Sequence, residues 1–276
     1  MVSWYLGPLG NLRELDTPEV SMTITDVRYG GVHQALSGAR TMDTTGVKQD
    51  LALTFRLLSE SDYRWLQALQ SRHIPGPHRL INPLRRNRMS EYGASCNATS
   101  SSRPGLRFSG GDWEWQNDWP TAAGYGTRSL RWVARTASTI AAWDPDMHNP
   151  IFPLEQLTGS VYVKGDSAIS ALLRFDYYDK DNVFLSSSTT EAAAVTTSWA
   201  RFPITRTAPV NACAARLVLS AVATTSMNLA AAQVESGASA TAWDLGGGAP
   251  AVLVDQLPST SPRYPLMDCT ITLLEA

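Results

Sequence analysis

The residues best suited to chemistry in this chain lie in one short run, where Trp113, Trp115 and Trp119 are interleaved with Asp112, Glu114, Gln116, Asn117 and Asp118. Flat aromatic rings stack on the apolar C–H faces of sugars while carboxylates and amides take the hydroxyls, so this run has the composition of a glycan site. The plainer alternative is that one or two of these Trp pack beneath a loop. Trp143, with Asp144, Asp146, His148 and Asn149 close behind it, and Tyr177-Tyr178-Asp179 offer a further wall for the same site. The candidate glycan-binding set is therefore Asp112, Trp113, Glu114, Trp115, Trp119, Trp143 and Tyr178. Trp199 and Trp243 are read as core.

Other chemistries find less support. Asp176, Asp179 and Asp181 with Asn182 gather the oxygen ligands that calcium favours, as do Glu155, Gln233 and Glu235. The run YYDKDN lacks the Gly and the terminal Glu of an EF-hand loop, and a hairpin turn explains it as well. A glycosidase needs two opposed carboxylates on a cleft, and no spacing here singles out such a pair. His33, His73, His78 and His148 are not in metal-like spacing, no Ser lies in a G-x-S-x-G turn, and there is no phosphate-cradling loop. The expectation is a protein that is not an enzyme and needs no metal or cofactor. The sequon Asn97-Ala98-Thr99 has meaning only in a secreted protein.

A chain of 276 residues has room for about two domains. With 43% hydrophobic residues, 17% charged residues and a net charge of −2, composition argues against disorder and against a polyanion or membrane-surface partner. Arg85, Arg86 and Arg88 read as a solvated linker rather than a phosphate patch, so no nucleic-acid-specific site is expected. The start MVSWYLGPLG has no basic n-region or long apolar h-region, and no apolar run reaches the length of a membrane span. Cys96, Cys213 and Cys269 are odd in number and far apart, which predicts buried or free thiols and folding in a reducing cytosol.

The elements that position these residues begin with Lys48–Pro83. Leu51, Leu53, Phe55 and Leu57 alternate with polar residues, as a half-buried strand requires. At Ser59 the period changes: Tyr63, Leu66 and Leu69 recur at helical spacing behind an N-cap Ser and a first-turn acid. Ile74-Pro75-Gly76-Pro77 ends the helix, and His78–Ile81 reads as a return strand. Before this unit, residues 3–18 form an irregular lead-in or a hairpin, Val20, Met22 and Ile24 mark a strand ending near Gly30-Gly31, and Val32–Ala35 and Ala39–Asp43 flank a Leu36-Ser37-Gly38 turn. After Asn87, short alternating runs at 104–109, 127–135, 158–164, 170–178, 196–205, 214–221 and 227–235 follow one another too closely for crossover helices, which predicts an antiparallel sandwich or jelly roll. Ala251–Leu257, the turn PSTSPRYP and the alternation Met267, Cys269, Ile271, Leu273 then make a hairpin with no core of its own, so it joins the first sheet and closes it.

Strand, short helix, Pro-Gly-Pro turn and RLINPLRRN together resemble the N-terminal ring domain of distal-tail and minor tail proteins of long-tailed (siphovirus) bacteriophages, over about the first ninety residues; His78 stands where an aromatic residue is expected. That resemblance implies a small barrel related to the tail-tube fold and a ring of copies, six in number, at the tail tip of the virion. Its implied partners are the chain itself, the tail tube and the tail-tip or hub proteins, after synthesis in the bacterial host cytoplasm. The segment Asn87–Gly248 resembles the carbohydrate-binding-module-like sandwich, through GYGTRSLRW, LTGSVYVKG, TTSWARFPITRTAP and AAQVESGASATAWDLGGG. This second resemblance is one of fold and leaves two roles open for the sandwich, contact with host cell-wall polysaccharide or bracing of neighbouring tail proteins.

The expected fold is thus mainly β: a tail-tube-like small β-barrel or sandwich with one short helix, carrying an inserted antiparallel β-sandwich. Its domains are 1–86 plus 249–276 for the ring and 87–248 for the insertion. The expected function is a structural component of a phage tail tip with an outward, glycan-contacting sandwich. The alternative is a soluble glycan-binding module with an accessory barrel.

Overall fold

The computed structural model describes residues 3–15, 21–42, 46–96, 105–134 and 136–276. The sequon Asn97–Thr99, Val20, Asp43, residue 104 and Arg135 lie outside the described residues. The chain divides into two compact units, Met1–Leu80 with Pro250–Ala276, and Ile81–Ala249. In chain order the elements are β1 (Trp4–Gly7), β2 (Arg13–Leu15), β3 (Ser21–Tyr29), β4 (Val32–Gln34), β5 (Arg40–Met42), β6 (Gly46–Leu58), α1 (Glu60–Gln70) and β7 (His78–Ile81). There follow α2 (Glu91–Ala94), β8 (Leu106–Phe108), β9 (Asp112–Gln116), β10 (Ser129–Ala134), β11 (Ile140–Trp143), β12 (Asn149–Pro150), β13 (Gln156–Gly165) and β14 (Ile169–Tyr178). The rest are β15 (Phe184–Ser187), β16 (Glu191–Val195), β17 (Ala200–Thr207), β18 (Ala214–Ala221), β19 (Thr225–Ser236), β20 (Ala251–Gln256), β21 (Ser259–Arg263) and β22 (Leu266–Glu275). The fold is mainly β, with antiparallel pairing in the sheets of both units.

In the first unit, β6 and β22 lie side by side with Leu51 opposite Leu273, Leu53 opposite Ile271 and Phe55 opposite Cys269. Cross-strand partners share a face, and the expected alternation therefore puts these side chains in one core with Leu66 and Leu69 of α1. The helix starts where expected because the Ser59 hydroxyl accepts from the Asp62 N–H at 3.1 Å and donates to the Asp62 carboxylate at 2.6 Å. Leu57 departs from the expected alternation: its φ is +54° and its side chain is exposed, while Leu58 turns inward. PSTSPRYP is not all turn, since its first part is β21, paired with β22.

The expected barrel does not close. Strand order in the eight-stranded sheet is β2-β1-β7-β20-β22-β6-β3, with β21 paired to β22. The C-terminal strand thus sits inside the sheet, and β3 forms an end. Its cross-strand partners Met22–Leu53 and Ile24–Leu51 share the core face, yet Met22 is 36% exposed and Ile24 38%.

In the second unit, a five-stranded sheet of order β17-β13-β19-β10-β9 and a seven-stranded sheet built on β15-β14-β18-β11-β8 enclose one core. Trp132, Leu130, Val161 and Leu229 from the first sheet bury against Trp143, Phe175 and Leu217 from the second. A Cβ on Gly159 would lie 2.6 Å from Leu217 Cδ1 and 2.7 Å from Phe175 Cζ, so the absent side chain is what lets the two sheets approach there. All three cysteines are free and buried, and burial pushes the Cys96 thiol up to about 12.

The basic run is not a solvated linker. Arg88 is buried and grips Glu155 with two bonds of 2.9 and 2.7 Å, while Arg85 binds Glu91 and the Gly246 carbonyl; Arg86 alone is exposed. Burial would raise the Glu155 carboxyl, but the Arg88 charge and its hydrogen bonds outweigh it and hold the group below the usual range.

Candidate functional site

The aromatic run becomes β9, an end strand of the five-stranded sheet, and strand geometry decides which of its residues work together. Trp113 pairs with buried Trp132 and Trp115 with buried Leu130, so both rings lie on the core-facing side. Glu114 pairs with Arg131 on the opposite face, where its carboxylate accepts from Arg131 at 3.0 Å and from Gln116 at 2.9 Å. The expected mixture of stacking rings and adjacent acids is therefore separated by the pleat: Asp112 and Glu114 cannot share a sugar with Trp113 and Trp115. Trp113 is 43% exposed, its ring standing edge-on to Trp115 with centroids 6.0 Å apart.

Two further candidates are corrected. Trp143 is fully buried in the sandwich core, and its indole Nε1 donates to Cys96 Sγ at 3.5 Å. It cannot stack on a sugar because β11 lies inside the seven-stranded sheet, between β18 and β8. Tyr178 is buried too, its ring stacked 3.6 Å from His148 and flanked by Phe184 and Arg216. The acids once weighed for calcium have protein partners: Asp179 Oδ1 accepts the Asp181 and Val183 N–H groups of a hairpin turn, and Asp176 holds Arg174 and Arg216.

What the structure does assemble is a pocket of about 470 Å³ beside β9, with Trp115, Trp119, Tyr125 and Trp243 as aromatic walls and Ser95, Thr127 and Arg128 as polar groups. Its volume lies within the range of small-ligand sites. Trp119 and Trp243 meet edge to face at 5.5 Å, and Tyr125 tilts over Trp243 at 5.4 Å. Four of these seven residues come from the single connection between β9 and β10. That connection is pinned by Asp118, which binds Lys164 at 2.7 Å and accepts from Trp199 Nε1 at 3.2 Å. The Lys164 hydrogen bond holds the Asp118 carboxyl below the ordinary range. Gly126 lies against the Trp119 indole so closely that a Cβ there would overlap the ring.

The opposite wall is fixed from behind. Trp243 Nε1 donates to the Ala232 carbonyl at 3.1 Å. Upstream of it, the two oxygens of buried Glu235 accept from the Thr241 N–H at 2.9 Å and the Thr241 hydroxyl at 2.7 Å, and Gln233 Oε1 accepts the Asp244 N–H at 3.0 Å. The Gln-x-Glu-x-Gly-x-x-x-Thr-x-Trp signature is thus a hydrogen-bonded clasp. Trp243 and Trp199 do pack against the buried clusters of this unit, as expected, but both rings are half-buried, and Trp243 also lines the pocket. Sequence reasoning missed Tyr125, Thr127 and Arg128. Their one signal was an aromatic and a base within a Gly-rich stretch directly after the tryptophans.

No protein-family model matches the chain, and no curated protein matches it. Solved structures similar to it include the enzymatically active domain of tailspike protein 4 of bacteriophage CBA120, at 14% identity and a TM-score of 0.42 over 55% of this chain and 21% of that one. The chain thus spans about a fifth of that tailspike domain. Others are the CBM22-1 xylan-binding domain of Paenibacillus barcinonensis Xyn10C, at 15% identity and a TM-score of 0.38 over 52% of this chain and 92% of that one, and TmCBM61 in complex with β-1,4-galactotriose, at 12% identity and 0.39 over 55% and 99%.

Proposed function

We propose that this chain is a structural, non-enzymatic component of a bacteriophage tail tip, whose first unit joins copies of itself in a ring and whose second unit contacts cell-surface glycan. The observation that carries this reading is the arm formed by β3, the β4–β5 hairpin and the start of β6. Eight of the nine residues of β3 are exposed, as are all of β4 and β5. Met22, Ile24, Tyr29, Val32 and Met42 present apolar surface along it. A thin β-arm of this kind is marginal in water, and an end strand with free N–H and C=O groups is a template for another chain. A head-to-tail interface that closes on itself supplies this pairing to every subunit at once. Six copies, joining tail tube to tip and hub proteins, are the number and setting that the resemblance implies, with synthesis in the host cytoplasm and residence at the virion tail tip.

Binding rather than turnover in the second unit is supported by the pocket itself. Among the described residues no carboxylate lines it, whereas glycoside hydrolysis calls on two. Repetition around a ring would turn weak sugar contacts on host cell-wall polysaccharide into useful avidity. The test is the solution mass of the full-length protein by light scattering coupled to size exclusion, over a range of concentrations, beside Ile24→Asp. A discrete closed oligomer that the substitution dissociates is the expected result. A wild-type chain that remains monomeric throughout overturns the ring and leaves a soluble glycan-binding module.

A further inference from the structure

We infer that the pocket beside β9 takes an acidic saccharide, a sugar bearing a carboxylate or a phosphate, with the Arg128 guanidinium as the seat of the anion. This rests on the glycan reading above and narrows it to a chemical class.

The first support is the state of Arg128. It is exposed, it lines the pocket, and it has neither an ion pair nor a hydrogen bond among the described residues. Elsewhere in the second unit the arginines are occupied: Arg88, Arg107, Arg131, Arg174, Arg206 and Arg216 each hold a carboxylate. Arg201 is held by Ser160 and the Thr241 carbonyl. Arg86 is the other exposed arginine of the unit without a side-chain partner among the described residues, but it lines no aromatic pocket; Arg128 alone combines a free guanidinium with aromatic walls.

The second support is the balance of donors and acceptors. Guanidinium carries five N–H donors and no acceptor. Of the indole donors, Trp243 Nε1 is spent on the Ala232 carbonyl, while buried Trp119 Nε1 has no partner among the described residues. The Tyr125 and Thr127 hydroxyls serve either way, and the Ser95 hydroxyl already donates to the Glu91 carbonyl. No side-chain carboxylate or amide lines the pocket among the described residues. A neutral sugar offers hydroxyls that must donate as well as accept, and a site for it needs acceptors. This one has more donors than acceptors; an anionic oxygen, which only accepts, matches it more fully than a hydroxyl, which accepts but must also place its own proton. The aromatic walls hold the sugar ring by its C–H faces, and the exposed guanidinium beside them is left to make a charge-assisted, bidentate contact with the anion.

The test is a glycan array carrying matched neutral, uronic-acid and phosphorylated forms of the same oligosaccharides, probed with full-length wild type, Arg128→Gln, Tyr125→Ala and Arg56→Gln. Tyr125 is 64% exposed, so its truncation spares the fold, and Arg56 is an exposed residue of the first unit that controls for net charge. The acidic members should be retained by wild type and by Arg56→Gln, and lose roughly tenfold or more in apparent affinity in Arg128→Gln, as loss of one charge-assisted contact predicts. Tyr125→Ala should weaken every bound member. Retention of uronic forms alone assigns the anion as carboxylate; retention of phosphorylated forms alone assigns it as phosphate. Equal binding of neutral and acidic members, unchanged in Arg128→Gln, overturns the inference while leaving glycan binding intact. Equal losses in Arg56→Gln and Arg128→Gln reduce the effect to net charge and also overturn it. Wild type that binds no member removes the glycan reading itself.

Discussion

Strands β19 and β3 are both long and antiparallel, and they meet opposite fates. Of the twelve residues of β19, nine are buried, between neighbours β13 and β10 and beneath the second sheet. β3 has neighbour β6 on one side and is exposed almost throughout. β-propensity is fulfilled in both, so propensity is not what separates them. The sandwich completes its core within one chain. The arm carries the same kind of apolar residues with no covering layer among the described residues, which is the surface that the proposed self-association would use.

The contrast is broken most severely from within the sandwich. Trp132→Ala removes a fully buried indole between the sheets and should cost about 3–5 kcal/mol in denaturant unfolding of the second unit. Arg88→Ala leaves buried Glu155 without its counter-charge, a loss of about 3–5 kcal/mol for a broken buried pair. The pH dependence follows in sign: the folded Glu155 carboxyl lies below its unfolded value, so its contribution is present at neutral pH and fades as pH falls through the folded value. Unfolding midpoints measured from pH 7 downward should therefore fall in wild type, and less in Arg88→Ala. Gly159→Ala, by overpacking against Phe175 and Leu217, should cost about 1–3 kcal/mol. At the other pole, Ile24→Asp should change monomer stability by no more than about 0.5 kcal/mol while abolishing the oligomer. Between the poles lies Gly126→Ala, which must displace the Trp119 ring: glycan capture should fall while the unfolding midpoint barely moves.

Much of the frame was legible. The alternation of Leu51, Leu53 and Phe55, the Ser59 cap and the runs at 170–178 and 214–221 each follow from one local period, and the structure places a strand or helix at each. The failures have a common cause in partners that are distant in sequence. The pleat that splits Trp115 from Glu114 was readable in principle, but composition suggested proximity where periodicity implied opposition. Whether an aromatic such as Trp143 or Trp243 ends up inside the core or beside a cavity depends on what packs against it, as Cys96 does on Trp143, and on what fixes its chain segment, as the Glu235–Thr241 clasp does upstream of Trp243. Whether an arginine is free depends on a carboxylate many residues away. Barrel closure likewise could not be read from the last hairpin, because inserting β22 between β20 and β6 satisfies the same hydrophobic pattern.

The connection from β9 to β10 contributes Trp119, Tyr125, Thr127 and Arg128, while its ends are held by strand pairing and by Asp118. Most of the pocket's polar and aromatic lining is thereby carried by one cassette, set against the fixed walls Trp115 and Trp243. A lineage under pressure to follow a changing surface could rewrite this loop alone, and the assembly that carries it would not register the exchange.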